Sequence, residues 1–114
     1  MDIEHYIAVS DYLGEFEQLI LLSLIRLGDD AYGVTIRATL RERTGRDVSF
    51  GAIYSTLRRL EAKHLVRSSL GEPAPVRGGR AKKFVAILPR GRAALGEAQH
   101  AFKRMSEGLK GLSH

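Results

Sequence analysis

The chain has 114 residues, of which 44% are apolar and 27% charged, and it contains no cysteine. This length predicts one compact domain and excludes two full ones. Without cysteine there is no disulfide framework, thiolate metal site or cysteine nucleophile. The longest apolar run, 19–25 with Ser23 inside it, is too short to span a bilayer, and the N-terminus is acidic. We therefore expect no membrane span and no secretion signal.

The formal charge of +5 is unevenly distributed along the chain. Residues 1–30 contain seven acids and one base, a net charge of −6, so the remaining 84 residues carry +11. A basic body of this kind indicates a polyanionic partner, because it concentrates nucleic acid or anionic lipid near its surface. The alternative is that the surplus bases only keep the protein soluble.

Two helices are predicted in the first half of the chain. Apolar residues cover most of the circumference over Leu13 to Leu27, which is typical of a core helix, and Asp11 is a candidate cap. A second helical pattern follows over 31–44, and Gly45 is placed to end it in a left-handed conformation.

A third helix is predicted from a cap at Ser49 to about Lys63, after a connection of only a few residues. Short connections of this kind are typical of a helix-turn-helix unit. At 100° per residue, one face of this helix is expected in the core, formed by Ile53, Leu57, Leu60 and His64. The opposite face and its flanks are formed by Gly51, Ser55, Arg58 and Ala62, with Arg59 on one side and Tyr54 on the other.

That outward face is small near its N-terminus and basic further on, which suits the major groove of DNA. A solvated amphipathic helix would also place arginines outside, and the helix alone does not separate the two interpretations. If it reads DNA, the candidates for base recognition are Ser49, Ser55 and Arg58, with Thr56 as a further candidate.

A β-hairpin is predicted next, with strands at 65–70 and 80–88 and a loop at 71–79 that contains glycine and proline. Residues 73–96 contain six bases and no acid. A third helix followed by a basic hairpin defines a winged helix-turn-helix, so the predicted fold class is mainly α with a small β-hairpin wing. The wing residues expected to contact DNA phosphates are Arg77, Arg80, Lys82 and Lys83.

The last helix is predicted to open at Pro89, and its apolar spacing gives a narrow heptad seam. We expect a second copy of the chain to cover this seam, and the alternative is that it packs on its own domain. The expected division is therefore 1–88 for the DNA-binding domain and 89–114 for a C-terminal dimerisation helix. The predicted dimer contacts are Leu95, Ala98, Phe102, Met105 and Leu109. A dimer would bind an inverted-repeat operator.

Three stretches of the sequence resemble the PadR family of transcriptional regulators. These are LGEFEQLILLSLIRLGDDAYG at 13–33, GAIYSTLRRLEAKHLV at 51–66 and GGRAKKFVAILPRGRAAL at 78–95. The family's Tyr-Gly falls on Tyr32 and Gly33, its helix-three tyrosine on Tyr54, and its wing glycine-arginine on Gly79 and Arg80. The resemblance implies a cytoplasmic homodimeric repressor that leaves its operator when a small aromatic or cationic compound, or another signal, binds.

The sequence departs from the family pattern at several positions. His64 replaces a glycine after helix three, where we expect a left-handed conformation that histidine tolerates, and Phe84-Val85 replaces an aromatic pair. Leu88 replaces a capping threonine, so the last helix lacks a side-chain cap. The family's short branch has a tryptophan in this helix, and Phe102 lies near that position as a candidate effector contact, although core packing explains it as well.

Catalysis is not supported by any motif in the sequence. The four histidines are scattered, none has a partner at metal-site spacing, and no phosphate-binding loop is present. We expect no enzyme activity, cofactor or metal. The rival hypothesis is a winged-helix module that docks on another protein, which a weak dependence of binding on salt would reveal.

Overall fold

The computed structural model describes residues 12–71 and 82–112. The described residues form four helices and one antiparallel hairpin, in the order that the sequence predicts. The elements are α1 (Glu15–Leu27), α2 (Gly33–Thr44), α3 (Phe50–Ala62), β1 (Val66–Leu70), β2 (Lys83–Ile87) and α4 (Pro89–Ser106). A single turn of 3-10 helix, Gly28–Asp30, joins α1 to α2.

Helix α1 begins after Gly14, whose backbone N–H donates to Glu17 Oε1 at 2.9 Å. This contact satisfies one of the amide groups that the first turn of a helix leaves without a backbone partner. Asp11, the predicted cap, lies outside the described residues. The first residue of α1 is Glu15, two residues later than Leu13, where the apolar pattern predicts the start.

The α2–α3 connection follows the signals in the sequence. Gly45 has φ 74°, and its N–H donates to Arg41 O at 2.9 Å, which confirms its predicted role as the helix-ending residue. Ser49 Oγ accepts from Ala52 N at 3.0 Å, which confirms the predicted cap of α3. Both ends of this turn are thus fixed by local hydrogen bonds.

The hairpin pairs Val66 with Ile87 at one end and Leu70 with Lys83 at the other. Val66 and Val85 face inward and are buried. Outside the ladder, Val85 N donates to Ala31 O at 2.9 Å, which joins β2 to the segment that precedes α2. The hairpin is therefore fixed to the helical body on its buried face and along one edge.

One hydrophobic core lies between the three N-terminal helices, the hairpin and the first turns of α4. Its fully enclosed members include Ile20, Leu21, Ile36, Ile53, Leu60 and Leu65. Leu95 belongs to this core, since only 3% of it is exposed, so the prediction that it lies on the dimer seam is wrong. The first turns of α4 approach the body closely because Gly91 has no side chain to meet Leu65 O.

Two of the expected departures from the family pattern have structural consequences. His64 has φ 61°, which confirms the left-handed conformation, but its side chain is exposed and the prediction that it lies in the core is wrong. The helix ends at Ala62 and His64 is left-handed, so the helical period no longer places it on the face that Leu60 occupies. Helix α4 begins at Pro89 after Leu88, without a side-chain cap, as predicted.

Candidate nucleic-acid interface

The N-terminal part of α3 presents small side chains to solvent. Gly51 is exposed and Ser55 is partly exposed, with Ser55 Oγ donating to Ala52 O at 3.3 Å. Ser49 is exposed, but its hydroxyl oxygen already accepts the capping hydrogen bond. Its O–H and a second lone pair remain, so Ser49 and Ser55 offer a few small polar groups on a closely approachable surface.

The inward face of α3 contains one residue that the sequence analysis names as a candidate for base recognition. Thr56 is only 2% exposed and lies alongside Ile53 and Leu60. It cannot contact a base, so the prediction that it takes part in base recognition is wrong. Its hydroxyl accepts from Arg59 Nη2 at 3.1 Å. Thr56 therefore holds the side chain of Arg59 by a hydrogen bond within α3 and does not contact a partner.

The two adjacent arginines of α3 lie in different surroundings. Arg59 is bonded to Thr56, and its charge helps to lower the pKa of Glu17 on α1, so it belongs to the α1 side of the helix. Arg58 is exposed and lies on the hairpin side, where it lines a cavity together with Lys82 and Lys83. Arg58 is therefore the arginine of α3 that shares a surface with the wing.

Two lysines at the start of β2 form the described part of the cationic surface near the hairpin. Lys82 and Lys83 are exposed, and Lys82 Nζ lies 4.7 Å from the centre of the Tyr32 ring. A cation over an aromatic face is held by the ring quadrupole, which fixes the lysine beside α2. Arg77 and Arg80, the other predicted phosphate contacts, lie outside the described residues.

Tyr54 connects α3 to the start of α2. It is 40% exposed, and its hydroxyl lies so close to Gly33 that a Cβ at that position would be 2.3 Å from it. Its ring stacks on Phe50 at 6.2 Å between centroids. Glycine at position 33 therefore allows the tyrosine to reach the first turn of α2.

Arg37 is a residue of the interface region that the sequence did not identify. From α2, its Nε donates to Val48 O at 2.8 Å, and its Nη2 donates to Asp47 Oδ1 at 3.0 Å. Its guanidinium also lies 5.0 Å from the centre of the Phe50 ring. Its contacts hold the turn before α3, and no motif or periodicity marks a pairing across eleven residues.

A largely buried ion pair joins α1 to the end of α3. Lys63 Nζ lies 3.0 Å from Glu17 Oε2, and Glu17 is 8% exposed. Burial raises the pKa of Glu17, but the hydrogen bonds from Gly14 and Lys63 and the charges of Lys63 and Arg59 outweigh it, so the pKa lies below its ordinary value. The pair adds a fixed polar link to the apolar packing of these helices.

The outer half of α4 exposes a group of large apolar side chains. Phe102 is 76% exposed and Met105 is 81% exposed, whereas Ala98 is half-buried. The helix ends at Ser106, and Gly108 follows with φ 78°, so Leu109 is exposed beyond the helix and does not continue the predicted seam. Glycine at this position ends the heptad pattern about one turn earlier than expected.

No cluster of histidine, cysteine, aspartate or glutamate suited to a metal ion occurs within residues 12–71 and 82–112. Within the same ranges, no helix is both long and apolar enough to cross a membrane.

The helix-turn-helix, the basic hairpin that follows it and the exposed arginine between them define a winged-helix DNA-binding protein. The profile of the PadR-like family of transcriptional regulators matches residues 21–97, which is more than half of the chain. The chain belongs to this family of transcription regulators, and these are not enzymes.

Solved structures agree with this assignment. A PadR family regulator from Clostridium difficile R20291 is 26% identical, with a TM-score of 0.68, over 82% of this chain and 93% of the other. A PadR-like transcription factor from Bacteroides fragilis is 27% identical, with a TM-score of 0.69, over 81% and 84%. F93 from STIV, a winged-helix DNA-binding protein, has a TM-score of 0.64 at 22% identity over 85% and 97%, and this likeness concerns the fold. No curated protein matches the chain.

Proposed function

We propose that this regulator binds a specific DNA sequence by placing α3 in the major groove. The observation that carries the proposal is the position of Arg58, which is exposed beside the hairpin at the end of a face of small residues. Small side chains at Gly51 and Ser55 allow close approach, and a guanidinium that reaches a guanine edge is the commonest specific contact. Arg59 contributes less, because Thr56 and the charge of Glu17 hold it on the other side.

The wing supplies contacts to the DNA backbone in this proposal. Lys82 and Lys83 are exposed near the start of β2, and the sequence adds Arg77 and Arg80 to the same basic segment. Phosphate contacts increase affinity and fix the orientation of the protein, but they do not distinguish one sequence from another.

The functional unit is a homodimer formed through α4. One face of this helix exposes the large apolar side chains of Phe102 and Met105, and Phe102 also lines a cavity of about 450 Å³ between α4 and the residues around Tyr12 and Leu13. A second copy that covers this face would remove apolar surface from water on both chains. Two recognition helices would then meet an inverted-repeat operator with half-site centres roughly 34 Å apart.

The dimer acts as a repressor in the cytoplasm and leaves its operator when a signal binds. The support for repression and release is the family resemblance, which implies a small aromatic or cationic effector. Phe102 is the candidate contact for such a compound, because it is exposed and lines the α4 cavity.

The experiment that tests this function is footprinting of the purified protein on fragmented genomic DNA, followed by gel-shift titration of the bound site at several salt concentrations. We expect one inverted repeat to be protected, and log K to fall by about 0.9 per phosphate contact for each log unit of salt. A protein that binds DNA weakly and without preference would instead support the rival function, docking on another protein.

A further inference from the structure

Three side chains join the root of the wing to the start of α2. We call them the wing-root cluster, and they are Tyr32, Lys82 and Phe84. Tyr32 stands directly before α2, Lys82 directly before β2, and Phe84 within β2. The backbone at Lys82 is part of the hairpin, because its carbonyl oxygen accepts from Gly71 N at 2.8 Å, one step beyond the last pair of the ladder.

The ring of Tyr32 is held from two directions. Its backbone N–H donates to Thr35 Oγ1 at 3.0 Å, and its carbonyl oxygen accepts from Ile36 N at 2.9 Å, so the main chain is fixed to the first turn of α2. The ring itself meets Phe84 edge to face at 5.5 Å between centroids. A ring fixed in this way is a rigid surface, since it cannot turn without breaking its contact with the wing.

Lys82 is the side chain that uses this surface. It is exposed, and its Nζ lies 4.7 Å from the centre of the Tyr32 ring. A lysine has a long, flexible stem and loses much of its freedom when its amine binds a partner. The ring quadrupole favours the rotamers that place the amine over Tyr32, so part of this freedom is already lost in the protein without DNA.

The contact also decides the direction in which the charge of Lys82 points. Tyr32, Lys82 and Arg58 line one cavity of about 600 Å³ between α3 and the hairpin, so the amine faces the recognition helix. Lys83 lines the same cavity, but among residues 12–71 and 82–112 no ring lies beneath its amine. The two lysines are therefore neighbours of the same charge, and only one of them is held by an aromatic ring.

We propose that Tyr32 is a positioning residue for DNA binding, because its ring holds the amine of Lys82 where it meets a backbone phosphate. The inference rests on the proposed function, which assigns Lys82 to a phosphate. Tyr32 acts through the face of its ring and not through its hydroxyl, and its effect is the same for every DNA sequence, since a phosphate carries no sequence information. The strength of a cation–π contact at an exposed site corresponds to about a two- to fivefold change in affinity.

The test is a double-mutant cycle with the full-length protein. Tyr32→Leu removes the ring but keeps an apolar side chain, and Lys82→Met removes the charge but keeps the apolar stem. Fluorescence anisotropy measures binding to two labelled duplexes, the operator found by footprinting and a scrambled sequence. We expect Tyr32→Leu to weaken both complexes about two- to fivefold when Lys82 is present, and to change neither in the Lys82→Met background. An equal loss in the two backgrounds would mean that Tyr32 acts through the packing of the wing, which would overturn the proposal.

Two further variants separate the ring from its hydroxyl and Lys82 from its neighbour. Tyr32→Phe keeps the ring face, so we expect wild-type affinity. A loss as large as that of Tyr32→Leu would assign the effect to the hydroxyl and contradict the proposal. Lys83→Met is the matched background for Lys82→Met, and there Tyr32→Leu should still weaken binding by the same factor. If it does not, the ring acts on the charge of the wing in general and does not position Lys82.

An NMR measurement without DNA checks the contact itself. Protons above the face of an aromatic ring are shifted upfield by the ring current. In protein with isotope-labelled lysine, the ε-methylene protons of Lys82 are expected upfield of those of Lys83. They should stay there in Tyr32→Phe and move to the position of Lys83 in Tyr32→Leu. Coincident signals for the two lysines in the wild type would rule out the contact and the proposal with it.

The cycle also separates this inference from the proposed function. If the protein prefers its operator but shows no coupling between Tyr32 and Lys82, the inference is wrong and the function stands. If footprinting finds no preferred sequence, coupling on the scrambled duplex still supports the inference, while sequence-specific binding fails.

Discussion

The guanidinium of Arg37 lies 5.0 Å from the centre of the Phe50 ring, while its Nε donates to Val48 O at 2.8 Å. Phe50 is the first residue of α3, and Val48 is the last residue of the turn before Ser49. One side chain of α2 thus connects to the backbone of the turn and to the first ring of the recognition helix. These contacts join the start of α3 to α2.

Replacing Arg37 by lysine is expected to loosen the start of α3 without unfolding the protein. Lysine keeps the charge but cannot reach Val48 O and Asp47 in a fork or stack flat on Phe50. We expect about 1–2 kcal/mol less stability in urea denaturation and a smaller ratio of operator to random-DNA affinity. Arg41→Lys, one turn further along α2, is the matched control. If Arg37→Lys discriminates as well as Arg41→Lys, Arg37 does not position α3.

Arg58→Ala and Arg59→Ala are expected to differ, although the residues are adjacent. Arg58 is exposed beside the wing, whereas Arg59 is bonded to Thr56 on the α1 side. Losing Arg58 should cost about 1–3 kcal/mol in specific binding and relax sequence preference. Arg59→Ala should change specific and random binding about equally. Gel-shift titration of both variants on operator and scrambled DNA measures the two affinities. If Arg59→Ala lowered the sequence preference and Arg58→Ala did not, α3 would meet DNA through its other side.

Met105→Asp is expected to dissociate the proposed dimer. Met105 is 81% exposed on the apolar face of α4, and an aspartate there would bury an unpaired charge in the interface. Operator affinity should fall with it, because the second half-site is lost. His100→Asp, at an exposed position on the opposite face of the same helix, is the control. Sedimentation velocity measures the oligomeric state of both variants. If Met105→Asp sedimented like His100→Asp, the apolar face of α4 would not be the dimer interface.

The Glu17–Lys63 pair makes stability depend on acid pH. The pKa of Glu17 in the folded protein lies below its ordinary value of 4.5, so the unfolded chain takes up this proton first as the pH falls. The stabilisation from Glu17 is therefore complete above that ordinary value and is lost as the pH falls through the lower, folded value. Urea denaturation between about pH 7 and pH 3 should show a smaller loss of stability in Glu17→Gln than in the wild type. Parallel curves for the two proteins would contradict this.

Sequence reasoning succeeded where the signal is local and failed where it depends on tertiary neighbours. The cap at Ser49 and the helix end at Gly45 depend on hydrogen bonds within three or four residues, and both are present. The heptad spacing of α4 identified an apolar stripe but not what covers it. Leu95 is buried by the chain itself, and Leu109 follows a helix that has already ended.

The same limit applies to the interface. The helical period separates inside from outside on α3, but Thr56 and Arg59 lie near that boundary, and only the packing of α1 decides their roles. Arg37 contacts residues ten and eleven positions away across a turn, where neither period nor motif gives a signal.

Two glycines of α4 provide a last comparison, because they share a helix but not an environment. A Cβ at Gly91 would lie 2.2 Å from Leu65 O, a backbone atom, whereas a Cβ at Gly96 would meet nothing within 4 Å. Gly96→Ala is therefore expected to stabilise the protein by about 1 kcal/mol through helix propensity alone. Gly91→Ala gains the same propensity but must separate α4 from the backbone at Leu65, just before β1, so we expect a net loss of roughly 1–3 kcal/mol. Urea denaturation of both variants measures the difference. If Gly91→Ala were as stable as Gly96→Ala, α4 would not depend on this close approach, and its orientation on the core would have to be set by Ala94 and Leu95 instead.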